Sequence, residues 1–123
     1  DQIKFVDHCK DMALAYNISD IVVSASIEPE AFGRVAVEAQ SMEKVIIASN
    51  IGGSNETIIN EKTGFLFESG DPGALSKKII QAMTMDESSL ELMGKEGRKN
   101  IIKKFNVEKM CFSTYSEYKR LLN

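Results

Sequence analysis

Short apolar runs alternate along this chain with stretches in which apolar residues recur every three or four positions. Ile3-Lys4-Phe5-Val6 predicts a strand, and the residues from His8 to Tyr16 a helix whose stripe is Cys9, Met12, Ala13 and Tyr16. Ile21-Val22-Val23-Ser24, after Asp20, predicts a buried strand, and the pattern from Phe32 to Met42 a helix. Val45-Ile46-Ile47-Ala48 is continuously apolar and rich in β-branched residues, as in a parallel strand covered on both faces. Gly52-Gly53-Ser54 opens a short helix through Ile59. Gly64-Phe65-Leu66-Phe67 is a fourth candidate strand, ended by Gly70-Asp71-Pro72-Gly73. Strand–helix alternation at this pitch implies right-handed crossovers and a parallel sheet.

Beyond Pro72 every pattern is helical. Leu75, Ile79, Ile80 and Met83 share one predicted face, and Leu90, Met93, Gly97 and Ile101 the next. Val107, Cys111, Tyr115, Tyr118 and Leu122 step by four, four, three and four along a final amphipathic helix, with Asn106 as its N-cap. No repeat, low-complexity tract or internal linker interrupts the chain, so residues 1–123 read as a single α/β unit.

Composition narrows the function classes. At 123 residues and 43% hydrophobic content the chain can bury one core. A net charge of −3 argues against a nucleic-acid binder, which would carry a basic excess. No apolar run approaches the roughly 20 residues that span a bilayer, and no signal peptide is visible. Cys9 and Cys111 lie far apart without metal-like spacing and read as reduced thiols of a cytosolic protein. The first residue is Asp1 rather than Met, which leads us to expect a piece of a longer protein.

Candidate chemistry concentrates between Glu30 and Glu38, two carboxylates with seven residues between them and Phe32-Gly33 directly after the first. Glu30 falls at the predicted strand-to-helix turn, on the sheet's carboxyl edge where open α/β folds bind ligands. Glu38 follows about two helical turns on, with its Cβ tilted back toward the helix start. Both can face one cleft, and a carboxylate accepts hydrogen bonds from a vicinal diol. Gly33 permits close approach of a ligand to the backbone, and the helix start favours an anion. The plain alternative is a surface helix with acidic residues favoured by its dipole.

Ser49-Asn50-Ile51-Gly52-Gly53-Ser54-Asn55-Glu56 repeats the strand–glycine–helix arrangement. The Gly52 and Gly53 amides are candidates to line an anion site; the alternative is a tight turn with Ser54 or Asn55 capping the helix. Lys95, Arg98, Lys99, Lys103 and Lys104 form a basic run that reads first as a solvated helix face, and second as a contact with anionic lipid. His8 has no catalytic pattern around it.

Glu30 to Glu38 with Phe32-Gly33, then Ser49 to Glu56, then Lys62-Thr63-Gly64-Phe65-Leu66-Phe67, resemble the C-terminal domain of group 1 (family 4) retaining glycosyltransferases. The resemblance runs from about Asp20 through Leu122. It implies a Rossmann-like domain, one of two that face each other across a cleft in the GT-B architecture, and a nucleotide-sugar donor as its ligand. By this resemblance Glu30 is the catalytic residue and contacts donor-sugar hydroxyls, assisted by the amides of Phe32 and Gly33. Glu38 takes the ribose hydroxyls, Arg34 and Val35 lie near the phosphates, Gly52 and Gly53 form the cleft floor, and Glu56 braces its loop. Two turns depart from the family: Ala25-Ser26 stands where Pro-Ser is frequent, and Glu43-Lys44-Val45 where Gly-x-Pro is frequent. The family's diphosphate-neutralising Arg and Lys, and its acceptor-binding domain, have no counterpart in this chain.

The expected function is therefore the donor-binding portion of an enzyme transferring a hexosyl group, with retention, to a hydroxyl acceptor on a glycan or lipid. No metal or other cofactor is expected, nor activity from this chain alone, and the expected location is cytoplasmic or at the inner face of a membrane. The alternatives are a non-catalytic remnant or assembly module, self-associating through the final helix, and a related GT-B sugar-nucleotide epimerase.

Overall fold

The computed structural model describes residues 2–122. Among them, three parallel strands form one sheet in the order β1-β2-β3: β1 (Ile21–Ser24), β2 (Val45–Ser49) and β3 (Phe65–Phe67). Ile21 pairs with Val45 and Ile47 with Phe65, so the registers place all three carboxyl ends on one edge. Six helices accompany them: α1 (Met12–Ile18), α2 (Arg34–Ser41), α3 (Ser54–Thr57), α4 (Pro72–Met83), α5 (Glu87–Lys104) and α6 (Val107–Leu122).

The two faces of β2 explain its uninterrupted apolar run. All five residues are buried, and successive side chains enter opposite layers. Ile46 and Ala48 pack with Tyr16 of α1, Ala36 and Ala39 of α2, and Ile58. Val45 and Ile47 pack with Phe65, Phe67, Ala82 of α4 and Met93 of α5. The result is the α/β arrangement with helices on both faces of a parallel sheet that the periodicity predicts.

Three expectations change in detail. Ile3 to Val6 is not a strand; Phe5 is 98% exposed, and no described strand lies beside it. A strand's backbone groups need a partner, and the pattern alone does not supply one. The first helix starts at Met12 rather than near His8, because the Asp11 carboxylate accepts from the Leu14 N–H and caps it there. Of its expected stripe only Tyr16 is buried. On α4 the inward stripe is buried Ala82 with partly buried Leu75 and Ile79, whereas Ile80 and Met83 are 59% and 71% exposed.

The close contacts of α5 with α2 rest on glycine. A Cβ on Gly94 would overlap the Glu43 carbonyl oxygen, and one on Gly97 would press on Gln40 at 3.1 Å. Buried Gln40 and Asn100 both donate to the Thr57 carbonyl, at 3.1 Å each, and tie α2 and α5 to the end of α3. Helix α2 ends in a Schellman motif: the Glu43 N–H donates to Gln40 O at 3.0 Å and the Lys44 N–H to Ala39 O at 2.9 Å. Its left-handed residue is Glu43, at φ 59°, where glycine is the usual occupant.

Helix α6 begins as expected, with Asn106 Oδ1 accepting from the Lys109 N–H at 2.8 Å. It buries none of its residues. Among the described residues no helix is long and apolar enough to cross a membrane.

Candidate functional site

The parallel strands deliver three loops to one edge, and hydrogen bonds join them. In the loop after β1, Ser26 Oγ donates to Glu30 Oε1 at 2.6 Å. In the loop after β2, the Gly53 N–H donates to the Glu30 carbonyl at 2.8 Å. In the loop after β3, Ser69 Oγ donates to the Ser26 carbonyl at 3.1 Å. Glu30 is thus held through its backbone and one carboxylate oxygen, while its side chain remains exposed. A cavity of about 400 Å³ lies over it, lined by Ser26, Ile27, Glu28, Pro29 and Glu30.

The paired glycines permit this contact. At Gly52 (φ +58°) a Cβ would stand 2.5 Å from the Glu30 carbonyl oxygen, and at Gly53 it would overlap the Phe32 carbonyl group. Both positions therefore require glycine, for backbone-on-backbone approach. The Gly53 amide is engaged by Glu30, so it serves the loop junction rather than facing an anion. Nor does Ser54 or Asn55 cap α3; its N-cap is Gly53, without a side-chain cap bond.

Gly33 turns the chain into α2. Its φ of +72° is left-handed, so the helix starts at Arg34 and Phe32 stays in the loop, 43% exposed. The Ala36 and Val37 N–H groups donate to Gly33 O at 3.1 and 3.3 Å. Those of Arg34 and Val35 precede the ladder, in a helix start with no side-chain cap. Such an end carries partial positive charge and favours an anion.

Glu38 lies one turn into α2 and is held by two groups. Arg34 Nη2 donates to its Oε1 at 3.0 Å, and the Tyr16 hydroxyl donates to its Oε2 at 2.9 Å. Burial first, and the Glu38 carboxylate second, push the Tyr16 phenol up to about 12, so it remains a protonated donor at ordinary pH. The structure thus joins Glu30, Phe32, Gly33, Gly52 and Gly53 in one junction. Glu38 stands beside it and does not line the cavity over Glu30.

Sequence reasoning left out Tyr16, Ser26, Ser69 and Phe105. Tyr16 lies 22 residues before Glu38 and reads as core on any periodicity. Phe105 stacks edge-on against Phe32, with ring centroids 5.5 Å apart, beside a cavity of about 460 Å³ at the foot of α6. No local motif signals either contact. Three of the five residues of the basic run meet carboxylates: Lys95 pairs with Glu91 at 2.5 Å, Lys99 with Glu96 at 2.7 Å, and Arg98 meets Glu43 at 3.8 Å. His8 is exposed. Among the described residues, no three His, Cys, Asp or Glu side chains cluster as metal ligands.

Comparison with known proteins gives this geometry a context. The family model described as Glycosyl transferases group 1 matches residues 1–100. The capsular polysaccharide biosynthesis glycosyltransferase CapM of Staphylococcus aureus is 33% identical over 120 residues, covering 98% of this chain and 31% of that protein. The crystal structure of a glycosyltransferase from Rickettsia africae ESF-5 superposes with a TM-score of 0.86 at 40% identity, covering 94% of this chain and 31% of its own. Anabaena Alr3699/HepE, in complex with UDP-glucose, superposes at 0.78 with 25% identity, covering 86% of this chain and 29% of its own. The chain therefore spans about a third of the length of these relatives. It belongs to the group 1 glycosyl transferases and has the Rossmann-like α/β fold of their C-terminal, GT-B-type domain.

Proposed function

We propose that this chain is the nucleotide-sugar donor-binding part of a retaining glycosyltransferase that moves a hexosyl group to a hydroxyl acceptor on a glycan or lipid. The observation that carries this reading is the junction of Glu30 with Gly52 and Gly53. Two glycines that tolerate no Cβ hold the backbone of an exposed carboxylate at the sheet's carboxyl edge. A core needs no exposed acidic residue braced in this way; a site for a polyhydroxy ligand does.

In this reading Glu30 is the catalytic residue and accepts hydrogen bonds from donor-sugar hydroxyls, with the Phe32 and Gly33 amides beside it. The α2 start, with the Arg34 and Val35 amides, faces the diphosphate. Glu38 accepts the ribose hydroxyls, and Gly52 and Gly53 form the floor. Catalysis then consists of positioning the donor and stabilising the departing nucleoside diphosphate. No step assigned to these residues is routed through a metal, and the acceptor and remaining diphosphate cations come from outside this chain. The proposed setting is cytoplasmic. The UDP-glucose complex of Alr3699/HepE supports a uridine nucleotide as the first donor to test.

The test is a titration of UDP-, GDP- and ADP-sugars followed by NMR shift mapping, on wild type and Glu38→Ala. Saturable shifts clustered between Glu30 and Glu38, lost in the variant, are expected with one nucleotide. Silence with all three, in a folded chain, would remove the donor assignment from these residues and favour an assembly module of the same fold.

A further inference from the structure

We propose that Tyr16 is a positioning residue of the nucleotide site, its hydroxyl fixing the direction in which the Glu38 carboxylate meets the ribose hydroxyls. This rests on the reading of Glu38 as the ribose ligand.

The two groups that hold Glu38 differ in rigidity. Arg34 is 84% exposed along its side chain, and such an ion pair is screened by salt and free to open. Tyr16 is 5% exposed and packed among Ala36, Ala39 and Ile46. It lies on a different helix from the residue it serves, so its ring cannot follow Glu38 as that side chain moves. A 2.9 Å hydrogen bond from a fixed phenol selects one rotamer of a side chain with three rotatable bonds. A carboxylate oxygen that accepts from Tyr16 retains acceptor capacity, and Oε1 becomes free whenever Arg34 swings away. Glu38 is therefore preset with open lone pairs, and binding has less side-chain freedom to remove. The phenol, pushed up to about 12, donates throughout the physiological range.

The alternative is that Tyr16 only fills the core and its hydroxyl merely finds a partner. The two roles separate on ribose chemistry. UDP, GDP and ADP, each beside its 2′-deoxy counterpart, are titrated into wild type, Tyr16→Phe, Glu38→Gln and the double variant. Thermal unfolding of each establishes that the fold persists; Glu38 is only partly buried, so Glu38→Gln is the variant that secures the comparison. With one base, the wild type is expected to prefer the ribonucleotide. Tyr16→Phe should lower ribonucleotide affinity roughly three- to tenfold and weaken the deoxynucleotide, which keeps only its 3′ hydroxyl, clearly less. The double variant should be no weaker than Glu38→Gln. If Tyr16→Phe weakens both nucleotides equally, or keeps the preference, the positioning role is overturned while Glu38 stands as the ribose ligand. A wild type that binds no ribonucleotide better than its deoxy form overturns the Glu38 assignment, and the role of Tyr16 with it.

Discussion

At the scale of single residues, Tyr16 shows how a buried polar tip changes the behaviour of a core. Its ring packs under α2, while its hydroxyl reaches Glu38 at 2.9 Å. Ionising it would place a phenolate in a poorly solvated position against a carboxylate, so the folded chain holds the proton to about 12, against the ordinary 10. Below pH 10 the hydroxyl is protonated in both folded and unfolded chains, and its contribution to stability is complete. Between about pH 10 and 12 the unfolded chain releases the proton and the folded chain keeps it, so stability falls as pH rises through this window. Tyr16→Phe has no proton to release there. Urea unfolding at several pH values should show wild type and variant converging above pH 10; parallel curves across that range would sink this account. Glu30 and Glu38 could be singled out from their spacing, but Tyr16 could not, because a residue 22 positions away enters the site only through the packing of α1 on α2.

At the scale of elements, the end of α2 is where this sequence departs from local preference. The Schellman pair at Gln40 and Ala39 requires the next residue to be left-handed, and Glu43 fills that position at φ 59°. A left-handed side-chain residue costs about 1–2 kcal/mol relative to the right-handed form, a penalty that glycine escapes. Glu43 gains little in return: its contact with Arg98 is 3.8 Å long, and both side chains are about half exposed. Glu43→Gly should therefore stabilise the fold by about 1 kcal/mol. Chemical denaturation measures this directly, and an unchanged or lowered midpoint would show that the Arg98 contact outweighs the strain. The turn was visible in the sequence only as a departure from Gly-x-Pro. The β2 run was legible in full, because burial on both faces leaves an unmistakable apolar pattern. The stripe on α4 was legible only in part. Its apolar residues cover a wider arc than the sheet touches, so Ile80 and Met83 fit the period yet stay in solvent. Phe32 fits the helical pattern as well, but the left-handed Gly33 delays the start of α2 to Arg34, two residues after it.

At the scale of the whole molecule, hydrophobic side chains stay exposed both ahead of α1 and along α6. Phe5 and Val6 are 98% and 83% exposed, and among the described strands β1 and β3 each pair on one side only. Helix α6 presents Val107, Met110, Phe112, Tyr115, Tyr118 and Leu121, each at least 59% exposed. An apolar helix stripe of this length does not rest stably in water. The charges of α6 are of both signs, with Glu117 paired to Arg120 at 2.8 Å, so repulsion does not keep two copies apart. We therefore expect this chain to self-associate through α6, with a weight-average mass that rises above 13.6 kDa as concentration increases. Sedimentation equilibrium over a wide concentration range reads this. The doubly substituted Met110→Glu, Tyr118→Glu chain should remain monomeric with its helix content intact, because both side chains are exposed and neither is buried in the fold. A wild type that stays monomeric at the highest concentration would sink the association. Association that persists in the double variant would move the contact to the open edge of β1, where a paired strand is the alternative cover for unsatisfied backbone groups.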